Sequence, residues 1–493
     1  MLALSNFWTN IALYRKSLSL TQQSLCQGLW VLAAFSFLTT LTLPYIGEEA
    51  VYTLTSQEMY FYNSWIKPLI YGTDYGRPPL YNWLILIVTE CIGLENVLLA
   101  ARFVSMMMTL LSSVLLYKLV FTLTQQSRLS VLSACVFLSG DLLFRRGWLA
   151  YSDPTFAFFS FGACACCWIF LHKQRCRYLF FAFVCANAAF LTKAITGYVF
   201  LFGTLVVLLC HKPYRDFFFK KKVFYLFIFL QTISLLLPVS WHVFFSQSAN
   251  GTGVIKDIQN QLLLSDTLLP YLKKLIVFPC EVWLRFFPTS LILAVFLFIK
   301  WRQKTACCGF TKTLKAMMQE ERLFYLSVGI VLVNILPYWL APQVRIRYIL
   351  PLYPFIASIL AYLVLACDKK CVDWVIKGLC CTVILRYIVG FWWFPYYEQR
   401  YRGDNQAIAE KIVALAQEKP IYTDDGGSIG LSVAAYVNTL RFSQGAAPVQ
   451  FADPVLPLGI LFSDKPIHTN ALPVNIHQSG RTSVYVFLQK KQG

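Results

Sequence analysis

Two neighbouring carboxylates, Glu48 and Glu49, follow a long apolar run near the start of the chain. A carboxylate at the edge of such a run can take a proton from a hydroxyl group. Acids beside a first membrane helix can also serve only as its outward flank. A third acid, Asp153, stands directly before Pro154 at the start of another apolar run, where it can cap a helix as well as take part in chemistry.

Basic side chains stand at comparable positions beside other apolar runs. Arg77 precedes two prolines, and Lys193 lies between two short runs. The stretch RIRYILPLYP places Arg345, Arg347 and Tyr348 together before a further run. Grouped cations in a partly dry cavity stabilise the negative charge of a phosphate group. Arg77 has an alternative interpretation as an anchor at the membrane interface.

Membrane helices must position these side chains. Of the 493 residues, 57% are hydrophobic and 14% are charged, which excludes an ordinary soluble protein. A helix needs roughly 20 apolar residues to cross the hydrocarbon core of a bilayer. Runs of this kind predict a polytopic helical membrane protein with spans at 25–43, 97–119, 129–144, 154–171, 178–191, 195–210, 223–245, 286–301, 323–340, 349–366 and 378–394.

The basic loops decide the predicted orientation. The net charge is +19, and much of it lies in short loops between apolar runs. If the short run 79–94 does not cross the membrane, these loops share one side, which the positive-inside rule makes cytoplasmic. We therefore predict an interfacial or re-entrant helix at 79–94, a cytoplasmic N-terminus and an outer C-terminus. The acids and cations above then meet at the outer boundary, where charges at lipid depth require a shared polar cavity.

Two outer loops and a C-terminal region complete the predicted organisation. Loop 44–96 contains a stretch at 50–62 with an apolar face suited to a helix lying on the membrane, and loop 246–285 contains a second amphipathic stretch. Short alternating apolar runs and polar residues follow residue 395. This pattern predicts a membrane domain over 1–395 and a small soluble α/β domain over 396–493, with helices near 405–417 and after Gly427 and with the strands PIYT, LGILFS and TSVYVFLQ.

The remaining features point to no further chemistry. Most of the 16 cysteines lie in apolar runs or basic loops and are expected as small apolar fillers rather than as bridges or ligands. No spacing of His, Cys and carboxylate residues indicates a metal site, and the sequence shows no need for a cofactor, although it leaves a divalent metal open. Because the basic charge is explained by topology, no nucleic-acid partner is predicted. The first apolar run lacks a cleavage site and is expected to be retained as a helix.

The order of these motifs resembles the GT-C fold polyprenyl-phosphate-dependent glycosyltransferases, in the superfamily of the aminoarabinose transferases and protein O-mannosyltransferases. The stretch GEEAVYTLTSQEM stands where that family carries an acid pair after its first helix, with Tyr52 and Glu58 behind the pair. RPPL, the acid of AYSDP, LTKA and RIRYILPLYP then follow in the family's order, and IYTDDGGSIGLSVAAYV is similar to its C-terminal domain. The resemblance covers most of the chain.

Four features depart from the family pattern, one of which is that the late basic residue stands closer to Tyr348 than is usual. Glu48 stands in place of an aspartate, which lengthens the side chain by one methylene group. Arg77 replaces a lysine, so that a planar fork takes the place of a point charge. Val51 occupies the position of an arginine. These changes leave the expected fold intact and weaken any assignment of a particular sugar.

The resemblance implies an all-α polytopic membrane protein of the GT-C type, with about 11 transmembrane helices and up to 13, interfacial helices and a small C-terminal soluble α/β domain. It implies transfer of a sugar from a polyprenyl-phosphate donor to a lipid A, glycolipid or protein acceptor, in a bacterial inner membrane with the C-terminal domain in the periplasm. The implied residues are Glu48 and Asp153 for catalysis, Arg77, Lys193, Arg345, Arg347 and Tyr348 for the donor phosphate, and Glu49 and Tyr52 as candidate substrate-binding residues.

A polytopic transporter or flippase of a lipid-linked or small polar substrate is the alternative. Such a protein is expected to show inverted repeats and ionisable groups near the middle of the bilayer. In this sequence we see no internal repeat, and the charges gather at one predicted face. The two functions differ in whether a bond to the carrier lipid is broken.

Overall fold

The computed structural model describes most of the chain. Its described residues are 20–140, 144, 146–245, 268–302, 322–342, 345–367, 369–401, 403–424, 426–452, 459–463, 475–479 and 482–488. Much of the second predicted outer loop, 246–267, lies outside the described residues.

Helices dominate the first four hundred residues. The helices before the centre of the chain are α1 (Leu20–Phe35), α2 (Glu49–Phe61), α3 (Leu80–Ile92), α4 (Val97–Thr124), α5 (Ser127–Leu138), α6 (Ser152–Lys173), α7 (Arg177–Thr192), α8 (Thr196–Leu209), α9 (Lys212–Phe218) and α10 (Lys221–Phe245). The later helices are α11 (Leu268–Leu284), α12 (Thr289–Arg302), α13 (Arg322–Leu340), α14 (Tyr353–Ala366), α15 (Lys369–Ile388) and α16 (Phe394–Tyr401). A short hairpin of β1 (Leu69–Ile70) and β2 (Thr73–Asp74) lies between α2 and α3.

Each of the predicted apolar runs forms a helix, so the protein is an integral membrane protein built from helices. Within the described residues, six helices are long and apolar enough to cross a membrane, or up to eight if each of two bent pairs is one span. The bent pairs are α8 with α9 and α11 with α12. The apolar helices α3, α5 and α7 are shorter. Length and composition alone therefore support fewer crossings than the eleven predicted, because several runs fold as short or bent helices.

Helix α6 lies in the middle of the bundle and carries one of the candidate acids at its first turn. It packs against α4, α7 and α8 and against the 3-10 helix Ile346–Leu352. Small residues allow this close approach: a Cβ atom added at Gly162 would lie 3.2 Å from Sγ of Cys185 on α7. Helices α6 and α7 therefore lie close together at this point.

Helix α2 begins in the stretch that was predicted to lie on the membrane surface. Almost all of its residues up to Met59 are buried instead. It packs against α3 and α4 on one side and against a helix of the C-terminal region on the other. The C-terminal region covers the face of α2 that the pattern assigned to lipid, and the position of 50–62 at the membrane surface stays a prediction.

The C-terminal region contains a five-stranded sheet with helices α17 (Asn405–Ala416) and α18 (Ser428–Phe442). Its strands are β3 (Ile421–Thr423), β4 (Gln450–Phe451), β5 (Ile460–Ser463), β6 (Asn475–Ser479) and β7 (Thr482–Leu488), in the order β4-β3-β5-β7-β6. Strand β3 is parallel to β4 and β5, whereas β7 is antiparallel to both of its neighbours. The predicted helices and the three predicted strands are confirmed, and β4 and β6 were missed. Helix α16 runs across the predicted boundary at residue 395, which stays a prediction.

The C-terminal region docks on α2 through aromatic and polar contacts. The ring centroids of Tyr45 and Tyr436 are 4.9 Å apart, and Gln57 Nε2 donates to Thr439 Oγ1 at 2.8 Å. Near the end of α2, Phe61 lies 5.5 Å from Phe442 between centroids. Helix α2 is thus held between the membrane helices and the C-terminal sheet region.

Candidate functional site

Asp153 lies between two cations at one end of the bundle. Lys193 Nζ donates to Oδ1 of Asp153, and Arg347 Nη1 lies 3.8 Å from Oδ2. Asp153 is almost fully buried, while the side chains of Lys193 and Arg347 keep 17% and 16% of their exposure. One carboxylate therefore faces two positive charges, which remain partly accessible from outside.

The backbone explains why these distant residues meet. Asp153 stands in the first turn of α6, and Lys193 ends α7, where its φ of −151° and ψ of −58° break the helix. Arg347 and Tyr348 belong to the 3-10 helix that precedes α14. Lys193 Nζ lies 4.8 Å from the ring centroid of Tyr348, within the range of a cation–π contact. The structure brings Asp153, Lys193, Arg347 and Tyr348 together, as the sequence predicted.

Arg347 has a donor that no residue described by the structure accepts from. Its Nε atom is buried and has no hydrogen-bond partner among the residues that the structure describes. A buried N–H group without an acceptor is costly, and the cost is larger when the group is charged. An anionic oxygen that entered this cluster would satisfy it.

Arg77 approaches the same cluster from the loop between the hairpin and α3. Its side chain is exposed, and its Cζ lies 5.2 Å above the ring centroid of Tyr75. Its charge interacts electrostatically with Tyr75, Tyr52 and Asp153 and with Tyr348. Burial raises the pKa of the Tyr75 hydroxyl, so this ring presents a neutral phenol to the guanidinium group. Tyr75 was not identified from the sequence, where it is one of many aromatic residues in the loop.

Glu48 lies exposed at the start of α2, directly beside this cluster. Its backbone N–H donates to the hydroxyl of Tyr151 at 3.0 Å. Its charge interacts with Arg347 and with Tyr75. Within the described residues its carboxylate makes no ion pair or hydrogen bond, so both oxygens are available to a bound molecule.

Gly47 and Tyr151 fix the position of Glu48. Gly47 has a φ of +63°, and a Cβ atom there would lie 2.9 Å from the hydroxyl of Tyr151. Glycine is suited to both conditions, because it adopts positive φ freely and leaves room for the phenol. Arg146 lies over the ring of Tyr151 at 4.7 Å from its centroid, and its charge also acts on Asp153.

Glu49 has a different environment from its neighbour. It is fully buried and forms an ion pair with Arg102, with 2.6 Å between Nη2 and Oε2. The backbone N–H groups of Ile46 and Ala150 also donate to its carboxylate, at 2.7 and 2.8 Å. The carboxylate of Glu49 thus has no exposure and binds protein groups through both oxygens, which favours a structural role over the suggested substrate contact.

Tyr52 and Arg345 lie at the edges of the cluster. Tyr52 is nearly buried, accepts a hydrogen bond from Ser152 Oγ at 3.1 Å, and packs edge-on against Tyr151. Arg345 is exposed, and its side chain makes no ion pair within the described part of the chain. The cluster therefore consists of Glu48, Asp153, Lys193, Arg347 and Tyr348, and the charge of Arg77, which lies over Tyr75, interacts with it. Arg345 lies outside this network of contacts.

The arrangement as a whole suits an anionic group with a polar neighbour. It has three cations and one buried carboxylate, and a free carboxylate stands at its side. No group of three or more His, Cys, Asp or Glu side chains that could hold a metal ion occurs among the described residues. The cations of the chain itself are the groups placed to compensate negative charge here.

The fold defines the class of this protein. Its structure matches the crystal structure of ArnT from Cupriavidus metallidurans bound to undecaprenyl phosphate, with a TM-score of 0.67, 13% identity and coverage of 94% of this chain and 96% of that chain. The chain thus has the GT-C fold, with a helical membrane part and a small α/β region at its C-terminus.

Sequence comparison shows which protein families the chain resembles. Residues 76–242 match the family described as dolichyl-phosphate-mannose-protein mannosyltransferase. The undecaprenyl phosphate-alpha-4-amino-4-deoxy-L-arabinose arabinosyl transferase 1 of Sodalis glossinidius is 34% identical over 138 residues, which cover 26% of this chain and 24% of that protein. The corresponding transferase of Photorhabdus laumondii is 25% identical over 44% of this chain and 42% of its own length. The chain is thus similar to the aminoarabinose transferases and to the mannosyltransferase family over part of its length, and its matches span less than half of these two relatives.

Proposed function

We propose that the protein is a membrane glycosyltransferase that moves a sugar from a polyprenyl-phosphate donor to an acceptor at the outer face of the membrane. The observation that carries this proposal is the pairing of Lys193 and Arg347 on Asp153, with Arg347 Nε left without an acceptor among the described residues. Such a cluster receives a phosphate at the membrane boundary while the lipid tail stays among the helices. The similarity to ArnT and to the arabinosyl transferases supports this donor class.

The cations act on the leaving group. As the bond between the anomeric carbon and the phosphate oxygen breaks, negative charge grows on the phosphate. Preorganised cations in a partly dry site stabilise that charge more strongly than water does. Arg347 and Lys193 lie in the cluster, and Arg77 adds a third positive charge whose field acts on Asp153 and Tyr348. The proposed reaction draws on these side chains and requires no organic cofactor.

Glu48 acts on the acceptor. When the acceptor is a hydroxyl group, its oxygen forms the new bond to the anomeric carbon and its proton passes to the carboxylate of Glu48. When the acceptor is a phosphate, no proton has to leave, and Glu48 instead binds a hydroxyl or amino group of the sugar. The acceptor in this proposal is lipid A, another glycolipid or a protein.

The orientation belongs to the same proposal. We place the chain in a bacterial inner membrane with a cytoplasmic N-terminus and with the site and the C-terminal region in the periplasm. The distribution of basic loops supports this orientation. The domain boundary at residue 395 is part of this proposal.

The test is transfer by the purified protein in nanodiscs, with a radiolabelled undecaprenyl-phosphate sugar as donor and lipid A as acceptor. We expect label on the acceptor and release of undecaprenyl phosphate. Arg347→Met should abolish transfer, while Arg215→Met, at an exposed position on α9, serves as the control. Movement of intact donor across sealed vesicles without bond cleavage would contradict the proposal and favour a flippase.

A further inference from the structure

Glu58 is a buried acid that the proposed chemistry does not use. It lies on α2 and has no solvent exposure. Its two oxygens accept hydrogen bonds from consecutive backbone N–H groups: Tyr71 N–H donates to Oε1 at 2.7 Å and Gly72 N–H donates to Oε2 at 2.8 Å. The Glu58 side chain of α2 therefore binds the turn of the neighbouring β-hairpin through two hydrogen bonds.

The turn bound by Glu58 has an unusual backbone conformation. Tyr71 and Gly72, which link β1 to β2, have φ values of +54° and +73°. Two consecutive positive φ values define the tight hairpin turn that matches strand twist, and a bulky residue such as tyrosine adopts this conformation only when its surroundings hold it there. The carboxylate of Glu58 supplies such a hold.

Further hydrogen bonds fix the backbone between this turn and Arg77. Tyr75 N–H donates to the carbonyl of Pro68 at 2.8 Å, which closes the base of the hairpin. Gly76, with a φ of +66°, donates its N–H to Oδ1 of Asp74 at 2.8 Å. Arg77 follows directly, so the chain is fixed from the turn to the guanidinium-bearing residue.

The C-terminal region holds the same turn from its other side. The ring of Tyr71 is buried and lies 5.8 Å from that of Phe451 on strand β4, between centroids. Tyr71 also belongs to the apolar core that includes Ile408 of α17 and Val437 of α18. The turn therefore sits between α2 and the C-terminal sheet, with Glu58 as its polar anchor.

We propose that Glu58 is a positioning residue for donor binding, which holds the Tyr71–Gly72 turn and thereby sets Arg77 over the Asp153 cluster. This inference rests on the proposed function, since it assigns Arg77 to the donor phosphate. Glu58 itself touches no reacting group. It acts through the hairpin, and its loss lets Arg77 leave the cluster without removing any charge from the site.

Kinetics and hydrogen exchange test this role. In Glu58→Ala we expect the donor KM to rise by about tenfold, because a charge-assisted contact to phosphate is lost, while the acceptor KM stays unchanged. The amide hydrogens of Tyr71 and Gly72 should exchange faster in the same variant. Glu58→Gln keeps one acceptor oxygen and should give an intermediate change. Glu90→Ala, an exposed acid on α3, is the matched control and should behave as the parent.

A second variant avoids the buried acid altogether. Gly72→Ala meets no neighbouring atom within 4 Å but strains the positive φ, so it loosens the turn and should also raise the donor KM. A role of Glu58 in folding alone would lower kcat through loss of active protein and leave the donor KM at the parental value. That result, or a parental exchange rate at Tyr71 and Gly72 in Glu58→Ala, would overturn the proposal.

Binding separates this proposal from the proposed function. Binding of undecaprenyl phosphate to the full-length protein in nanodiscs requires no turnover. If the parent binds this lipid but transfers no sugar, the proposed function fails, and weaker binding by Glu58→Ala still supports the positioning role. If the parent transfers sugar and Glu58→Ala binds the lipid as the parent does, the positioning role alone fails.

Discussion

Arg102 and Glu49 form an ion pair in which both side chains have no solvent exposure. The guanidinium group of Arg102 also donates to the backbone carbonyls of Thr40 and Leu41, both at 3.2 Å, and of Pro44 at 2.7 Å. The pair thus ties α4 to the connection between the first helix and α2. It determines where α2 begins and, with it, where the neighbouring Glu48 stands.

Loss of Arg102 should be strongly destabilising. Arg102→Met leaves the carboxylate of Glu49 buried without a counter-charge, which costs about 3–5 kcal/mol. We expect a clear fall in the thermal midpoint in detergent relative to Arg215→Met. The double variant Arg102→Met with Glu49→Gln should recover part of the loss, because no isolated charge remains. A parental midpoint for Arg102→Met alone would contradict the structural role.

The two neighbouring glutamates should separate in their effects. Glu48→Gln should lower kcat for a hydroxyl acceptor by about 10²–10⁴-fold, because a positioned base contributes that much, and should leave the thermal midpoint unchanged. Glu49→Gln should lower the midpoint, because it weakens the buried ion pair. Initial rates and melting curves on the same preparations check both statements. Full activity of correctly inserted Glu48→Gln would remove this residue from the mechanism.

Arg347 should not be replaceable by lysine. Arg347→Lys keeps the positive charge but removes the Nε donor and the planar fork. We expect the affinity for undecaprenyl phosphate to fall by about 10- to 100-fold, the value of one charge-assisted hydrogen bond. Arg345→Lys, at the exposed neighbouring position, should bind nearly as the parent. Parental affinity in Arg347→Lys would contradict this prediction, because it would show that charge alone matters.

Stability should depend on pH through Glu58. Burial raises the pKa of Glu58 from its ordinary 4.5 to about 7, against the lowering effect of the N–H groups of Gly72 and Tyr71. Between these values the folded protein holds a proton that the unfolded chain has released. The stabilising contribution is therefore fully present below pH 4.5 and is lost as the pH rises through about 7. Its size is about 3 kcal/mol.

Melting curves of the parent and of Glu58→Gln at several pH values measure this effect. The glutamine variant cannot titrate, so its midpoint should vary less between about pH 5 and pH 8 than that of the parent. Tyr62 is the titratable neighbour whose charge also interacts with Glu58, and it stays neutral over this range because burial raises its pKa. Parallel pH profiles for parent and variant would contradict the shifted pKa.

The sequence revealed the charged residues beside apolar runs, because a charge at lipid depth has a high free-energy cost. Asp153, Lys193 and Arg347 each stand at the end of an apolar run, and a common topology places all three at one boundary. Glu48 follows the same logic. Arg102 carried the same signal as a single charge within an apolar run, but the neighbouring residues made that run look like an uninterrupted span.

The sequence could not predict the hydrogen bonds that position the residues of the site. The hold of Glu58 on the Tyr71–Gly72 turn and the bond from Glu48 N–H to Tyr151 join a side chain to the backbone of a distant segment. Such pairs leave no periodic pattern in the sequence. The burial of α2 was missed for a related reason, since the C-terminal region that covers it is more than three hundred residues away along the chain.

The sharing of one carboxylate between Lys193 and Arg347 has a consequence for turnover. In the proposed reaction the donor is a phosphodiester with a single negative charge, whereas the lipid phosphate left after transfer is a monoester with a charge of about −1.5 to −2 at neutral pH. We therefore expect the excess positive charge of the cluster to bind the spent carrier more tightly than the loaded one. We expect release of this carrier to be the rate-limiting step of turnover. Added free undecaprenyl phosphate should inhibit the reaction.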